Sequence, residues 1–165
     1  MSVTDMPHGL QIGLRGETDI VVRRSFAAPP ERVWRALTDP AILPRWMQGY
    51  GGHMTHCEID FRVGGSFDWR WVMADGTTFG FSGPYLAIEP YERIVHRELF
   101  NGDPASGCDV TTVLRPDGAG TRMEVTISYA SAAAREEALA TGMTDGMDLT
   151  YANLDALLTA GSADA

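Results

Sequence analysis

The chain has 165 residues, 44% hydrophobic and 21% charged, a composition typical of one globular domain with a proper core. Its formal charge of −9 argues against nucleic acid and anionic membranes as partners, because phosphate groups are bound by basic surfaces. All 13 basic residues are arginines, which excludes a lysine Schiff base and a lysine general base.

The cellular compartment is predicted from the N-terminus and the cysteines. Residues 1–16 lack the basic segment and apolar run of a secretory signal, and no apolar run is long enough to span a bilayer. Cys57 and Cys108 form neither a disulfide framework nor a ligand cluster. We therefore expect a cytoplasmic protein with two free thiols.

The first part of the chain predicts a strand and two short helices. Residues 1–16 are interpreted as a flexible lead-in, and a single domain is predicted over residues 17–161. Alternating apolar residues predict a strand over residues 18–26. Pro30 suits the first position of a helix, Asp39 and Pro40 end that helix, and a second short helix is predicted to end at Trp46.

The middle of the chain alternates with period two after a flexible glycine loop at residues 49–52. Strands are predicted over residues 57–61, 66–73, 77–88, 93–100, 109–115 and 121–129. Short turns such as Asp75-Gly76 and Asp117-Gly118 join them, so consecutive strands are expected to pair antiparallel.

The C-terminal stretch, residues 131–160, is predicted to be one long helix. Ser131 can cap its start, and its apolar residues recur every three or four positions: Leu139, Met143, Met147, Tyr151, Leu154 and Leu158. Gly142 and Gly146 each cost about 1 kcal/mol relative to alanine inside a helix. They would let a sheet approach closely, leave open space, or kink or break the helix.

Several segments together resemble one known family: APPERVW at residues 28–34, LTDP at 37–40, CEIDFRVGG at 57–65, ERIV at 92–95 and LDALL at 154–158. They are similar to the homologues of the activator of heat-shock-protein-ninety ATPase, within the START-like (SRPBCC, Bet v-like) superfamily. The resemblance implies an α+β helix-grip fold. In that fold a curved seven-stranded antiparallel sheet wraps around a long C-terminal helix, and two short helices follow the first strand. Met147 departs from the pattern, because many relatives have tryptophan there.

The family implies a cavity between the sheet and the last helix. Aromatic residues and methionines could line it and bind a small apolar or aromatic molecule. The candidates are Trp46, Trp69, Trp71, Phe79, Phe81, Met123, Met143, Met147 and Tyr151. The same residues could instead simply fill the core.

His96 and Glu98 are two residues apart on one predicted strand and therefore share a face. Pointing inward, they could orient a polar ligand group or exchange a proton. Pointing outward, they would be a solvated pair, and this is the arrangement we favour. His53, His56, Cys57 and Glu58 suggest a metal site, but an odd spacing separates the two histidines on an extended chain. We expect no metal and no cofactor.

Three functions remain open, because the fold alone cannot choose between them. The prediction is a small-molecule binding protein in which His96 or Glu98 fixes the polar end of the ligand. The alternative is an enzyme of the polyketide cyclase or dehydratase type, with His96 as acid–base and Tyr151 as donor to an enolate. The third is an interaction protein that stimulates a chaperone ATPase. Apolar residues on both faces of some strands are compatible with a homodimer.

Overall fold

The computed structural model describes residues 2–48 and 51–160. Within them, nine strands form one antiparallel sheet: β1 (Val3–Asp5), β2 (Gln11–Arg15), β3 (Asp19–Phe26), β4 (His53–Ile59), β5 (Ser66–Val72), β6 (Thr78–Glu89), β7 (Arg93–Phe100), β8 (Cys108–Asp117) and β9 (Gly120–Ser128). Their order is β1-β2-β3-β9-β8-β7-β6-β5-β4, so β1 and β4 are the edges of an open sheet. The α-helices are α1 (Pro30–Thr38), α2 (Ala132–Ala140) and α3 (Met143–Thr159), and 3-10 turns lie at Leu43–Arg45 and Pro104–Ser106.

The predicted α+β class and all six strands after the short helices are confirmed, but the sheet has nine strands and not seven. The described part of residues 1–16 is not a loose lead-in, because it forms β1 and β2. Strand β2 pairs with β3 with Ile12 opposite Val22. The Asp148 carboxylate of α3 accepts hydrogen bonds from the backbone N–H groups of His8 and Leu10, at 2.9 and 3.0 Å. That contact fixes the turn between β1 and β2.

Helix α1 begins at Pro30, as predicted, and buries Val33, Trp34 and Ala36. The second predicted helix is only the 3-10 turn Leu43–Arg45. A proline at its second residue, Pro44, has no N–H to donate, so a segment this short builds no α-helical ladder. Residues 49–50 of the predicted glycine loop, and Gly161 at the end of the predicted domain, lie outside the described residues.

The C-terminal stretch is two helices, not the predicted single one. The Ser131 hydroxyl accepts a hydrogen bond from the Ala134 N–H at 3.1 Å, as expected of an N-cap. Gly142, with φ of 79°, then takes a left-handed conformation that interrupts the helix between α2 and α3. Glycine adopts this conformation at little cost because it has no Cβ.

Helix α3 lies on the apolar face of the sheet and has α1, α2 and β3 as its main neighbours. Its C-terminal half buries Leu154 and Leu158, and the Arg32 guanidinium donates to the Leu158 carbonyl at 3.0 Å. Its N-terminal half carries Met143 and Met147, which are only half-buried. No helix of the described residues is long and apolar enough to cross a membrane.

Candidate functional site

Aromatic side chains cover the inner face of β5 and β6. The alternation of β5 places Phe67, Trp69 and Trp71 on this face, and all three are buried. Phe79 of β6 stacks on Trp71 with ring centroids 5.0 Å apart and planes 8° from parallel. Phe79 and Phe81 are only half-buried, although both pack against the core. The apolar wall therefore keeps accessible surface at β6.

The side of α3 that faces the core carries Met143, Met147 and Tyr151, four residues apart. All three are half-buried and pack against the core cluster. The Tyr151 ring stacks on Trp46 with centroids 5.9 Å apart and meets Phe26 edge-on at 6.3 Å. The phenol is thus held between α3, the chain after the first 3-10 turn, and β3.

His96 and Glu98 of β7 face the interior, so the prediction of a solvated outward pair was wrong. The imidazole is 8% exposed and lies edge-on to Phe67 and Trp69, with centroids 5.0 and 6.2 Å away. Its Nε2 lies 3.1 Å from Oε2 of Glu98. The pairing of β7 with β6 sets this orientation, because His96 is opposite the buried Tyr85.

Glu98 also influences two phenols on other elements. Burial raises the pKa of Tyr151 above its usual value, and the negative charge of Glu98 raises it further. Burial likewise raises the pKa of Tyr129, with further contributions from Cys108 and Glu98. Tyr129 also contacts α3 directly, because its hydroxyl donates to the Met143 sulfur at 3.4 Å.

Two hydrogen-bond donors in this region have no partner among residues 2–48 and 51–160. The indole N–H of Trp69 is buried and unpaired, and Tyr151 makes no hydrogen bond through its hydroxyl. The indoles of two other predicted site residues are satisfied. Trp46 donates to the Ala36 carbonyl at 3.0 Å, and Trp71 donates to the Met47 carbonyl at 2.8 Å. Buried polar groups are normally hydrogen-bonded, so an unpaired indole requires an explanation.

Met123 is the remaining predicted site residue. Met123 is fully buried in the core, as a packing residue is, and therefore offers no accessible surface. Cys57 and Tyr129 were not among the predicted ligand-binding residues, yet both are half-buried and pack against the core. Burial, aided by the charge of Asp39, raises the pKa of the Cys57 thiol to about 11. The alternation that places Tyr129 on the face of Met123 and Ile127 is the signal that could have identified it.

Among the described residues, two of the four suspected metal ligands lie together, and a further carboxylate joins them. His56, Glu58 and Asp68 come together in the exposed part of β4 and β5, where Nε2 of His56 lies 3.1 Å from Glu58 and 3.8 Å from Asp68. A bulge between Met54 and His56 changes the spacing on which the prediction relied. Arg70 binds both carboxylate oxygens of Asp68, and this hydrogen bonding lowers the pKa of that carboxyl. The cluster can hold a cation only in competition with Arg70.

A family model described as "Activator of Hsp90 ATPase homolog 1-like protein" matches residues 27–159. The chain belongs to this family. Among solved structures, a protein from Rhodobacter sphaeroides is 37% identical with a TM-score of 0.86, and the match covers 92% of this chain and 99% of that one. Protein CV1439 from Chromobacterium violaceum is 30% identical over 85% of this chain and 96% of that one, with a TM-score of 0.73. Protein NE0264 from Nitrosomonas europaea is 25% identical over 88% and 96%, with a TM-score of 0.80.

These structures have the SRPBCC (Bet v1-like) helix-grip fold, so the resemblance seen in the sequence is confirmed at the level of family and fold. Comparison with curated proteins gives no match. Family membership is consistent with small-molecule binding and with cyclase-like activity, and it selects neither.

Proposed function

We propose that this protein binds a small apolar or aromatic molecule between α3 and the inner face of strands β5 to β7. The observation that carries the proposal is that apolar side chains on both sides of this region are only partly buried. Apolar side chains that face a solid core are normally buried completely, as Phe67, Met123 and Leu154 are. Phe79 and Phe81 on one side, and Met143, Met147 and Tyr151 on the other, are not.

The residue types suit a binding site. Small-molecule sites are lined mainly by apolar and aromatic groups, with a few polar groups that orient the ligand. Here His96 and Glu98 form the polar pair, and the Trp69 indole and the Tyr151 hydroxyl are free to donate. Methionine side chains are flexible, so Met143 and Met147 can adapt to ligands of different shape.

A filling substitution tests the proposal. Replacing Met147 by the larger tryptophan should occupy the space against α3, whereas the same ring at exposed Leu86 of β6 should not. Nile red, whose emission shifts to the blue in apolar surroundings, is the probe. We expect the wild type and Leu86→Trp to bind it equally, and Met147→Trp to bind at least tenfold more weakly at unchanged thermal stability. Equal binding by Met147→Trp, or no binding by the wild type, would contradict the proposal.

The 3.1 Å contact between His96 and Glu98 supports a second candidate, an enzyme of the cyclase or dehydratase type. If Nε2–H of His96 donates to Glu98, the other ring nitrogen is left as an acceptor that can take a proton from a carbon beside a carbonyl group. The Tyr151 hydroxyl could then donate to the enolate oxygen.

Hydrogen–deuterium exchange tests this candidate. Under this mechanism the protein should speed exchange of the methyl protons of 2-acetylnaphthalene in D2O, and His96→Gln should abolish the acceleration. A bound ketone with no acceleration would exclude the enzyme and leave the binding role.

A further inference from the structure

We infer that the ligand carries an uncharged carbonyl group that accepts a hydrogen bond from the indole N–H of Trp69, while its apolar body lies against the methionines of α3. This inference rests on the proposed function and specifies the chemical class that the site selects.

The first step is the unpaired indole. Trp69 is 9% exposed, and its Nε1 is buried without a hydrogen-bond partner among the described residues. Trp46 and Trp71, which are also buried in the core, both donate their indole N–H to backbone carbonyls. An indole N–H can only donate, and its missing partner must therefore be an acceptor.

The second step is a second donor in the same region. The Tyr151 hydroxyl has no partner in the part of the chain described here, and the ring is held in place by its stack on Trp46. A tyrosine hydroxyl is protonated at neutral pH, so it too is available to donate. A carbonyl oxygen carries two lone pairs and no proton, so it is an acceptor for either donor.

The third step concerns the charge that the ligand can carry. Glu98 is an acidic group on the inner face of β7, and its negative charge contributes to the raised pKa of Tyr151 and of Tyr129. His96 bonds to the same carboxylate. A ligand carboxylate would be repelled by Glu98, whereas a ketone, aldehyde, ester or amide would not. The site therefore favours neutral carbonyl compounds over fatty or aromatic acids.

Three ligands of nearly equal size test the inference by isothermal titration calorimetry: 2-acetylnaphthalene, 2-ethylnaphthalene and 2-naphthoate. With the wild type we expect the ketone to bind at least tenfold more tightly than either of the other two. Trp69→Phe removes the N–H and keeps an aromatic ring, so the ketone should lose its advantage while 2-ethylnaphthalene binds as before. Trp71→Phe removes an N–H that the Met47 carbonyl already uses, so it should change the binding of the ketone and of 2-ethylnaphthalene by the same factor. Glu98→Gln should strengthen the binding of 2-naphthoate at least fivefold.

The outcomes separate the two proposals. Equal binding of the ketone and the hydrocarbon, or tightest binding of the acid, would overturn the carbonyl inference and leave the binding function standing. The retained affinity of Trp69→Phe for 2-ethylnaphthalene shows that the variant is folded. If none of the three binds while Nile red does, the inference is overturned alone. If Nile red also fails to bind, both the carbonyl inference and the proposed function are contradicted.

Discussion

Asp148 of α3 is the side chain whose replacement should reveal how the helix is fixed to the sheet. Its carboxylate is 2% exposed and accepts two backbone hydrogen bonds from the turn between β1 and β2. Replacing it by alanine removes both bonds and leaves the N–H of Leu10, a fully buried residue, without an acceptor. We therefore expect Asp148→Ala to destabilise the protein strongly.

The size of the effect follows from the two contacts. A hydrogen bond to a charged group contributes about 1.5–3 kcal/mol, so the loss of two in Asp148→Ala should lower the free energy of unfolding by about 3–6 kcal/mol. Asparagine keeps one accepting oxygen, so Asp148→Asn should lower it by about half as much. Small domains have a total free energy of unfolding of about 5–15 kcal/mol, so the alanine variant should lose a large part of it.

Urea unfolding followed by circular dichroism measures these differences. The matched control is Asp145→Ala, an exposed carboxylate in the first turn of the same helix, which should cost about 1 kcal/mol or less. Amide hydrogen exchange at His8 and Leu10 should be faster in Asp148→Ala than in the wild type. A loss of stability no larger than that of Asp145→Ala would refute the reasoning.

Two further predictions concern the helix break and the thiols. Gly142→Ala should lower the free energy of unfolding, measured in urea, by about 1 kcal/mol. The reason is that φ of 79° strains alanine, although nothing lies within 4 Å of the new Cβ. Gly142→Asn should cost less, and an unchanged unfolding midpoint for Gly142→Ala would contradict this reasoning. Burial raises the thiol pKa values to about 11 for Cys57 and about 12 for Cys108, from an ordinary value of 9.0. Their contribution to stability is complete below pH 9 and is lost as the pH rises toward these values, because the unfolded thiols ionise first. The double variant Cys57→Ala/Cys108→Ala should therefore lose less stability than the wild type between pH 8 and 10, and an equal loss would contradict the assignment.

The parts of the fold that depend on local pattern could be predicted from the sequence. The alternation in β5 placed Trp69 and Trp71 on one face, and the Pro30 start of α1 is where expected. Strand β1 gave no signal, because its three residues are exposed and the turn after it is held by a carboxylate about 140 residues away. A single contact of this kind leaves no periodic pattern in the sequence.

The orientation of β7 could not be predicted for a different reason. Ile94 and Val95 put apolar side chains on both faces, so parity alone did not say which face is inward. The pairing of His96 with Tyr85 decides it, and that register depends on the whole sheet. The unpaired indole of Trp69 is likewise invisible in the sequence, because Trp46, Trp69 and Trp71 are all buried and only what lies beside each nitrogen decides whether it is paired.

Methyl NMR is the most direct test of ligand binding between α3 and the sheet. The protein is labelled with 13C at the methionine methyl groups, and spectra are compared before and after saturation with 2-acetylnaphthalene or 2-ethylnaphthalene. The methyl signals of Met143 and Met147, assigned by methionine-to-leucine variants, should shift with the ring current of the bound ligand. The signal of Met123, fully buried in the core, should shift much less and serves as the internal reference. Unchanged signals for Met143 and Met147 at saturating concentrations of both compounds would contradict the account.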